Sequence, residues 1–563
     1  MARFRSDMAG AAAARAVWRD VARFQRDVSG ALAIFGLLLF VLMVMMGGIA
    51  VDLMRYESTR TNLQNTLDRS TLAAATLSQD LPPQSVVDDY FLKAGLMQYL
   101  SSVQVDQGMN YRSVTADAHA DARPMFMQML GIEELVARGH SRAEQRLNNV
   151  EIMLALDISG SMGGAKIANL ITAANSFIDT VLNSDPDQKI SIGIVPYNAQ
   201  VNLPPELMAE YNVVRPNNVI NVNCLELPPS VFATSALSRV TPYAEMAYAD
   251  TLSSTSQTTS YVAVTSGAPN FNNAYCLKGT FNQVLMPTKS AAALHAKING
   301  MTAGGYTSIM YGMRWGLALL DPSAQPIFTS LIAGGKMSAN LAGHPYDYTD
   351  VETLKVIVLM TDGENTLHEQ IQDDRKDGPS PLWKSVGDGF YSIELIAGRP
   401  VAAGTNTYWA PHLCVSAACT AGTNTAEAWL AAPYNSGGGA TMLDWRDVWA
   451  TFRDSYVAWQ FYARALGTTS GTRTSAYNAA IASMERSYGS TATENSQLQQ
   501  SCAQAKTNGI VVYSIGFEAP AIGLTQLRAC ATSDAHFFNA TTLTISTAFT
   551  AIANNISQLR LTQ

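Results

Sequence analysis

The chain has 563 residues, 47% hydrophobic and 9% aromatic, a composition too apolar for intrinsic disorder and enough chain for several domains. Lys and Arg number 37 against 45 Asp and Glu, for a net charge of −8. That balance excludes the basic face on which nucleic-acid binding depends, so no nucleic-acid partner is expected.

The charge is uneven along the chain. Residues 1–27, a basic tail, hold Arg3, Arg5, Arg15, Arg19, Arg23 and Arg26 against Asp7, Asp20 and Asp27, a net of +3. Residues 28–51 are 24 uncharged, mostly apolar positions (ALAIFGLLLFVLMVMMGGIAV), which leaves −11 from Asp52 onward. As a helix the run spans about 36 Å, enough to cross a hydrocarbon core of about 30 Å. The arginines ahead of it are a positive-inside signal. The sequence therefore predicts a transmembrane helix over 28–54, a cytoplasmic N-terminus and a main domain outside the inner membrane. A cleaved signal peptide is the competing reading, with Gly48 and Ala50 small enough for a cleavage site, but the run is long for a secretory h-region.

Residues 55–80 read as an amphipathic helix continuing the anchor. Leu63, Leu67, Ala74 and Leu77 recur at near-heptad spacing, with Pro82 and Pro83 as the stop. Packing on its own domain is the plainer use of that stripe; self-association through 53–79 is the alternative. Residues 81–148 read as a small α+β module, because Val114, Ala116, Ala118 and Ala120 alternate with polar residues.

From 149 to 563 the pattern is α/β. Apolar runs at Ile152–Leu156, Ile190–Val195, Leu354–Met360 and Ile510–Phe517 fit parallel strands buried on both faces, with helices such as 166–182 between them. Insertions fall at about 202–290, 321–350 (a polar link) and 366–475. The last holds Trp383, Trp409, Trp429, Trp445, Trp449 and Trp459. There Trp445, Trp449, Phe452, Tyr456, Trp459 and Ala463 share a helical spacing that predicts one helix, its aromatic stripe a core face before a ligand-stacking surface. All six cysteines lie beyond the anchor, as disulfides of an exported domain would; six allow fifteen connectivities. Proximity suggests Cys224–Cys276, Cys414–Cys419 and Cys502–Cys530.

The residues that carry chemistry follow the strand ends. Asp157-Ile158-Ser159-Gly160-Ser161 puts one carboxylate and two hydroxyls in a tight loop at a strand's carboxyl end, where α/β proteins bind ligands. Thr307 follows Gly304-Gly305 before an apolar helix, and Asp362 follows the strand 354–360. Five hard oxygen donors on three loops suit a divalent cation, Mg²⁺ ahead of Ca²⁺ or Mn²⁺. The plainer reading is that Ser159 or Ser161 caps helix 166–182 and Asp362 braces its own turn.

The segments LALDISGSM, GGYTSIMYGM and VIVLMTDGEN resemble the metal-ion-dependent adhesion site of von Willebrand factor A domains. That resemblance implies Asp157, Ser159, Ser161, Thr307 and Asp362 as metal ligands, and a von Willebrand A-type (Rossmann-like) parallel sheet flanked by helices. The basic tail with GALAIFGLLL…GGIAVDLMRYESTRTNLQNTLDRSTLAAATL resembles TadE/TadG-like proteins of Flp (tight adherence) pilus assembly, and the stretch from Cys502 to Thr562 resembles the ending of their von Willebrand-containing members. Prepilin-type processing in related pseudopilins expects a Glu five residues after a Gly, whereas Gly30 is followed by Phe35, which favours a retained anchor.

Enzyme motifs only approximate. Around Gly160–Ile167 a P-loop would need Gly at Ala165 and Ser or Thr at Ile167. A nucleophile elbow at Ser159–Gly163 lacks its first Gly. The expected protein is a non-catalytic, single-pass envelope protein with a periplasmic domain. It binds an acidic side chain of a partner, a pilus-assembly component, through the cation. A scaffold whose ion only stiffens the domain is the alternative, and a hydrolase a more distant one.

Overall fold

The computed structural model describes residues 18–23, 29–76, 79, 81–107, 111–146, 149–253, 257–264, 274–423 and 425–557. Arg3, Arg5, Asp7, Arg15, Arg26, Asp27 and Leu77 lie outside the described residues. The chain divides into two units, residues 1–146 and 147–563.

In the first unit, α1 (Ser29–Ala75) is one uninterrupted helix, about 70 Å long at 1.5 Å per residue. Its N-terminal part is apolar and exposed, and it is the one described helix long and apolar enough to cross a membrane. Its C-terminal part packs on α2 (Pro83–Lys93) and on an antiparallel sheet of β1 (Leu100–Gln107), β2 (Tyr111–Ala122) and β3 (Leu135–Arg146). Leu63, Leu67 and Ala74 are buried against Val114, Ala116, Ala118 and Ala120, and the approach is so close that a Cβ on Gly139 would sit 2.6 Å from Leu67. Leu63, Leu67 and Ala74 of the near-heptad stripe are thus covered within their own unit. The prolines do not stop α1, which ends at Ala75; Pro83 instead opens α2, where its missing N–H costs nothing and its fixed φ suits a first turn.

The second unit is built on a six-stranded sheet. In chain order its scaffold is β4 (Asn149–Asp157), α3 (Ala165–Asn183), β5 (Ile190–Tyr197), β6 (Leu285–Thr288), α4 (Ala291–Asn299), α5 (Ile309–Leu320) and β7 (Thr353–Thr361). The large insertion follows, holding β8 (Pro379–Ser385), β9 (Tyr391–Glu394), β10 (Tyr408–Trp409), β11 (Trp429–Leu430), β12 (Ala440–Asp444), α6 (Trp445–Thr451) and α7 (Ser470–Met484). The scaffold resumes with α8 (Thr491–Thr507), β13 (Val511–Phe517), α9 (Ala521–Cys530), β14 (Phe537–Ala540) and α10 (Ile545–Ser557).

The sheet order is β14-β13-β7-β4-β5-β6, parallel except for the edge strand β6. Every residue of β4 after Asn149 is buried, as a strand covered on both faces must be. Met153 and Ala155 join a core with α5 and α8, whose Leu498 and Cys502 belong to it. Elsewhere Phe177 of α3 meets Phe549 of α10 edge-on at 5.9 Å. The parallel α/β sheet flanked by helices, interrupted by insertions and preceded by an apolar helix and a small α+β module, is the architecture expected from the sequence.

The insertions are more ordered than their composition suggests. The segment 321–350 is not a polar link: Gln325–Ala333 is helical, and its Ile327, Phe328 and Leu331 enter the core. The large insertion carries its own antiparallel sheet, β11-β10-β9-β8-β12, over a core that includes Trp409, Trp429, Trp445 and Trp449. The aromatic stripe is buried, yet it is not one helix. It breaks at the extended Phe452 (φ −125°, ψ 145°), and Val457–Ala463 is a π-helical stretch. Trp445 stacks on Trp449 ahead of the break, and Phe452 stacks on Tyr456 beyond it. All three disulfides join the neighbouring pairs Cys224–Cys276, Cys414–Cys419 and Cys502–Cys530.

Candidate metal centre

β4 continues into β5 on one side and pairs with β7 on the other, with Leu156 opposite Met360. The carboxyl ends of β4 and β7 therefore flank the point where the strand order reverses, the usual ligand crevice of an open α/β sheet. Asp157 is the last residue of β4, and Asp362 follows the last residue of β7. Tyr197, at the end of β5, braces the same rim by donating from its hydroxyl to the Met360 carbonyl at 2.8 Å.

The first loop turns on its own carboxylate. Asp157 Oδ1 accepts from the Ser159 amide at 2.7 Å, and Ser159 Oγ lies 3.1 Å from Ser161 Oγ. Ser161 Oγ in turn donates to Asp362 Oδ1 at 2.6 Å. The second loop is stitched to the first by Gly160 N donating to Gly305 O and Gly304 N to Ile158 O, both at 2.8 Å. Gly305 has φ +75°, and a Cβ there would meet the Asn198 amide at 2.4 Å, so only glycine serves. Thr307 lies against the third loop, where a Cβ on Gly363 would be 3.3 Å from Thr307 Oγ1.

The fold thus gathers all five residues singled out from the sequence. Asp157, Ser159, Thr307 and Asp362 are buried, and Ser161 is exposed at the mouth. Neither serine caps α3, whose N-cap is Gly164 without a side-chain bond.

The donor chemistry fits a hard cation. Burial, and next the charge of Asp362, push the Asp157 carboxyl up to about 6. A buried acid whose charged form is this disfavoured gains from a positive neighbour. Among the described residues the only cationic side chain bonded to either carboxylate is Lys166, whose Nζ donates to Asp362 Oδ2 at 2.6 Å. Asp157 has hydroxyl and amide partners only, the Thr361 hydroxyl at 2.5 Å among them.

Three supporting residues escaped the sequence reading. Thr361 holds Asp157, and Lys166 pairs with Asp362. Asn365 Oδ1 accepts from the Ile309 amide at 2.7 Å, tying the third loop to the start of α5. Thr361 and Asn365 stand inside VIVLMTDGEN and Lys166 inside the near-miss P-loop, but nothing in their spacing marks these contacts.

The sheet with its switch point, and the three loops converging there, define an open α/β domain with a candidate ligand crevice at its rim. At the other end of the chain, residues 30–77 match the family model described as Flp pilus-assembly TadE/G-like. No curated protein matches the chain. Among solved structures, the vWF domain of the type V pili tip protein Mfa5 from Porphyromonas gingivalis is similar at 15% identity and a TM-score of 0.29, over 74% of this chain and 98% of that one. The pilus adhesin SpaC from Lactobacillus rhamnosus GG follows at 10% identity and a TM-score of 0.29, over 81% of this chain; the match spans about a third of SpaC, 34%. Proximal thread matrix protein 1 from the mussel byssus is similar at 8% identity and a TM-score of 0.25, over 85% of this chain and 53% of its own. Scores of this size add nothing to the fold described above.

Proposed function

We propose that this chain is a membrane-anchored, metal-dependent binding protein of the bacterial cell envelope, acting in Flp-type pilus assembly or adhesion, and that it is not an enzyme. The observation that carries the reading is the convergence of two carboxylates and three hydroxyls at the β4–β7 switch point, open to solvent at Ser161. Asp157, Ser159, Ser161, Thr307 and Asp362 would hold a divalent cation, Mg²⁺ ahead of Ca²⁺ or Mn²⁺, whose charge attracts an acidic side chain of a protein partner. The chain's own groups prepare the place: Thr361 and the Ser159 amide orient Asp157, and Asn365 fixes the third loop. The apolar part of α1 anchors the chain in the inner membrane with its N-terminus cytoplasmic and the α/β domain periplasmic.

A scaffold role is the second reading, because the hydrogen bonds from Gly160, Gly304 and Ser161 already knit the three loops together. The two readings separate in cells. With Asp157→Ala made at native level and correctly localised, loss of pili is the expected result. Unchanged piliation would leave only the scaffold.

Lys166 gives a sharper handle on the same site. Lys166→Met removes a positive charge in contact with Asp362, so the affinity for Mg²⁺ or Mn²⁺ is expected to rise about tenfold or more. Calorimetric titration of the chelator-treated chain reads this directly.

A further inference from the structure

The apolar run of α1 ends at Asp52, and a loop of the small module is fastened to the helix at that level. Asp52 is only 3% exposed. Its Oδ1 accepts from the Met125 amide at 2.9 Å, and its Oδ2 accepts from the Phe126 and Met127 amides at 2.6 and 2.8 Å. Phe126 lies against Gly48, where a Cβ would come within 2.3 Å of its ring. Gly48 is four residues before Asp52, about 6 Å along the axis, so the ring sits inside the level of the apolar run.

The rest of the loop faces outward. Met125 is 66% exposed, Met129 74% and Leu130 52%. Pro124 to Ile132 carries no charge, while Arg123 precedes it and Glu133 and Glu134 follow. Its backbone is paired internally. Besides the three amides on Asp52, Met129 N donates to Phe126 O, Gly131 N to Gln128 O and Ile132 N to Met127 O. A segment bordering hydrocarbon must satisfy its amides in just this way, because no water is there to do it.

We propose that residues 124–132 form a second membrane contact, with Met125, Met129 and Leu130 seated in the outer edge of the bilayer beside the transmembrane helix. The proposal rests on the reading of 28–54 as that helix. The occupant is lipid rather than protein because the loop is bonded to the anchor at the height where its apolar run ends, so the membrane that covers Leu32–Val51 reaches the loop as well. Unbranched methionines suit the irregular packing of acyl chains, and the flanking charges mark where the loop returns to water. Two attachments instead of one restrain the helix from rotating about its axis under the small module.

The test uses the full chain in vesicles of phosphatidylcholine and phosphatidylglycerol. The six native cysteines are disulfide-bonded, so Met129→Cys takes an environment-sensitive fluorophore alone. The expected result is blue-shifted emission, quenched several-fold more by a nitroxide on the upper acyl chain than by aqueous iodide. Water-like emission with strong iodide quenching overturns the proposal. Protection from both quenchers overturns it too, since a protein surface would then cover the loop. Leu130→Cys repeats the measurement should the first label hinder reconstitution. A chain washed from the vesicles by carbonate overturns the anchor itself, and the loop contact with it, whereas a retained chain with a wet label sinks only the loop.

Discussion

Asp157→Ala is expected to abolish saturable divalent-cation binding, lowering affinity by at least about a hundredfold. Asp157 is the buried end of the constellation and the carboxylate without a cationic partner. Ser159 and Thr361 are turned toward it, so its removal takes a negative charge and the organiser of the first loop together. Calorimetry with Mg²⁺, Ca²⁺ and Mn²⁺ on the disulfide-intact chain measures the loss, and binding that survives in the variant would sink the site.

The same residue sets a pH dependence. Its carboxyl stands at about 6 without a cation, and a cation needs it ionised, so apparent affinity should fall about tenfold per pH unit below about 6. Stability of the cation-free chain moves the other way. The folded value lies above the unfolded one, so this acid's contribution is complete below about 4 and is lost, by about 3 kcal/mol, as pH rises to about 6. Saturating cation should cancel that loss, a reversal that thermal melts with and without chelator would detect.

Lys355→Met is expected to destabilise the α/β domain by about 3–5 kcal/mol at neutral pH. Glu151 on β4 and Lys355 on β7 face each other in the sheet register, and both are buried. Lys355 Nζ donates to Glu151 Oε2 at 2.5 Å and to the Leu320 carbonyl at 2.9 Å. His344 and the Tyr346 amide take the other carboxylate oxygen. Burial alone would raise the Glu151 carboxyl, but the His344 bond and the Lys355 charge outweigh it and hold it below its ordinary range. In the native chain this contribution is present above about pH 4.5 and fades as pH falls through the lower folded value. In the variant the buried Glu151 keeps only its His344 and Tyr346 partners, and without the Lys355 charge it is more readily protonated, so acidification should restore stability. Urea unfolding at two pH values separates these opposite slopes, and Glu151→Gln added to Lys355→Met should recover most of the loss.

Much of this was legible in sequence because it rests on local pattern. Continuous apolar runs gave the parallel strands, and Val114 to Ala120 gave the inward face of β2. The five oxygen donors stood in three short motifs directly after strands or before a helix, where position follows from chain direction. What escaped depends on distant partners. Glu151 and Lys355 interrupt apolar strands without any periodic signal, since their pairing exists only once β4 lies beside β7. The contacts of Lys166 and Asn365 likewise arise from loops about 200 and 56 residues apart. The aromatic spacing in 445–463 reported burial correctly but not continuity, because both halves face one core from differently aimed segments.

The strand order also fixes a timetable for synthesis. β7 pairs with β4 on one side and β13 on the other, yet about 150 residues separate the end of β7 from the start of β13. At usual rates of chain growth that interval lasts roughly 8–30 s. For that time the five site residues already exist while a largely apolar central strand keeps one flank bare, a surface that invites pairing with another chain. The large insertion, with its own sheet and the Cys414–Cys419 link, is made in this window. All five strands of that sheet are made before β13 begins at Val511.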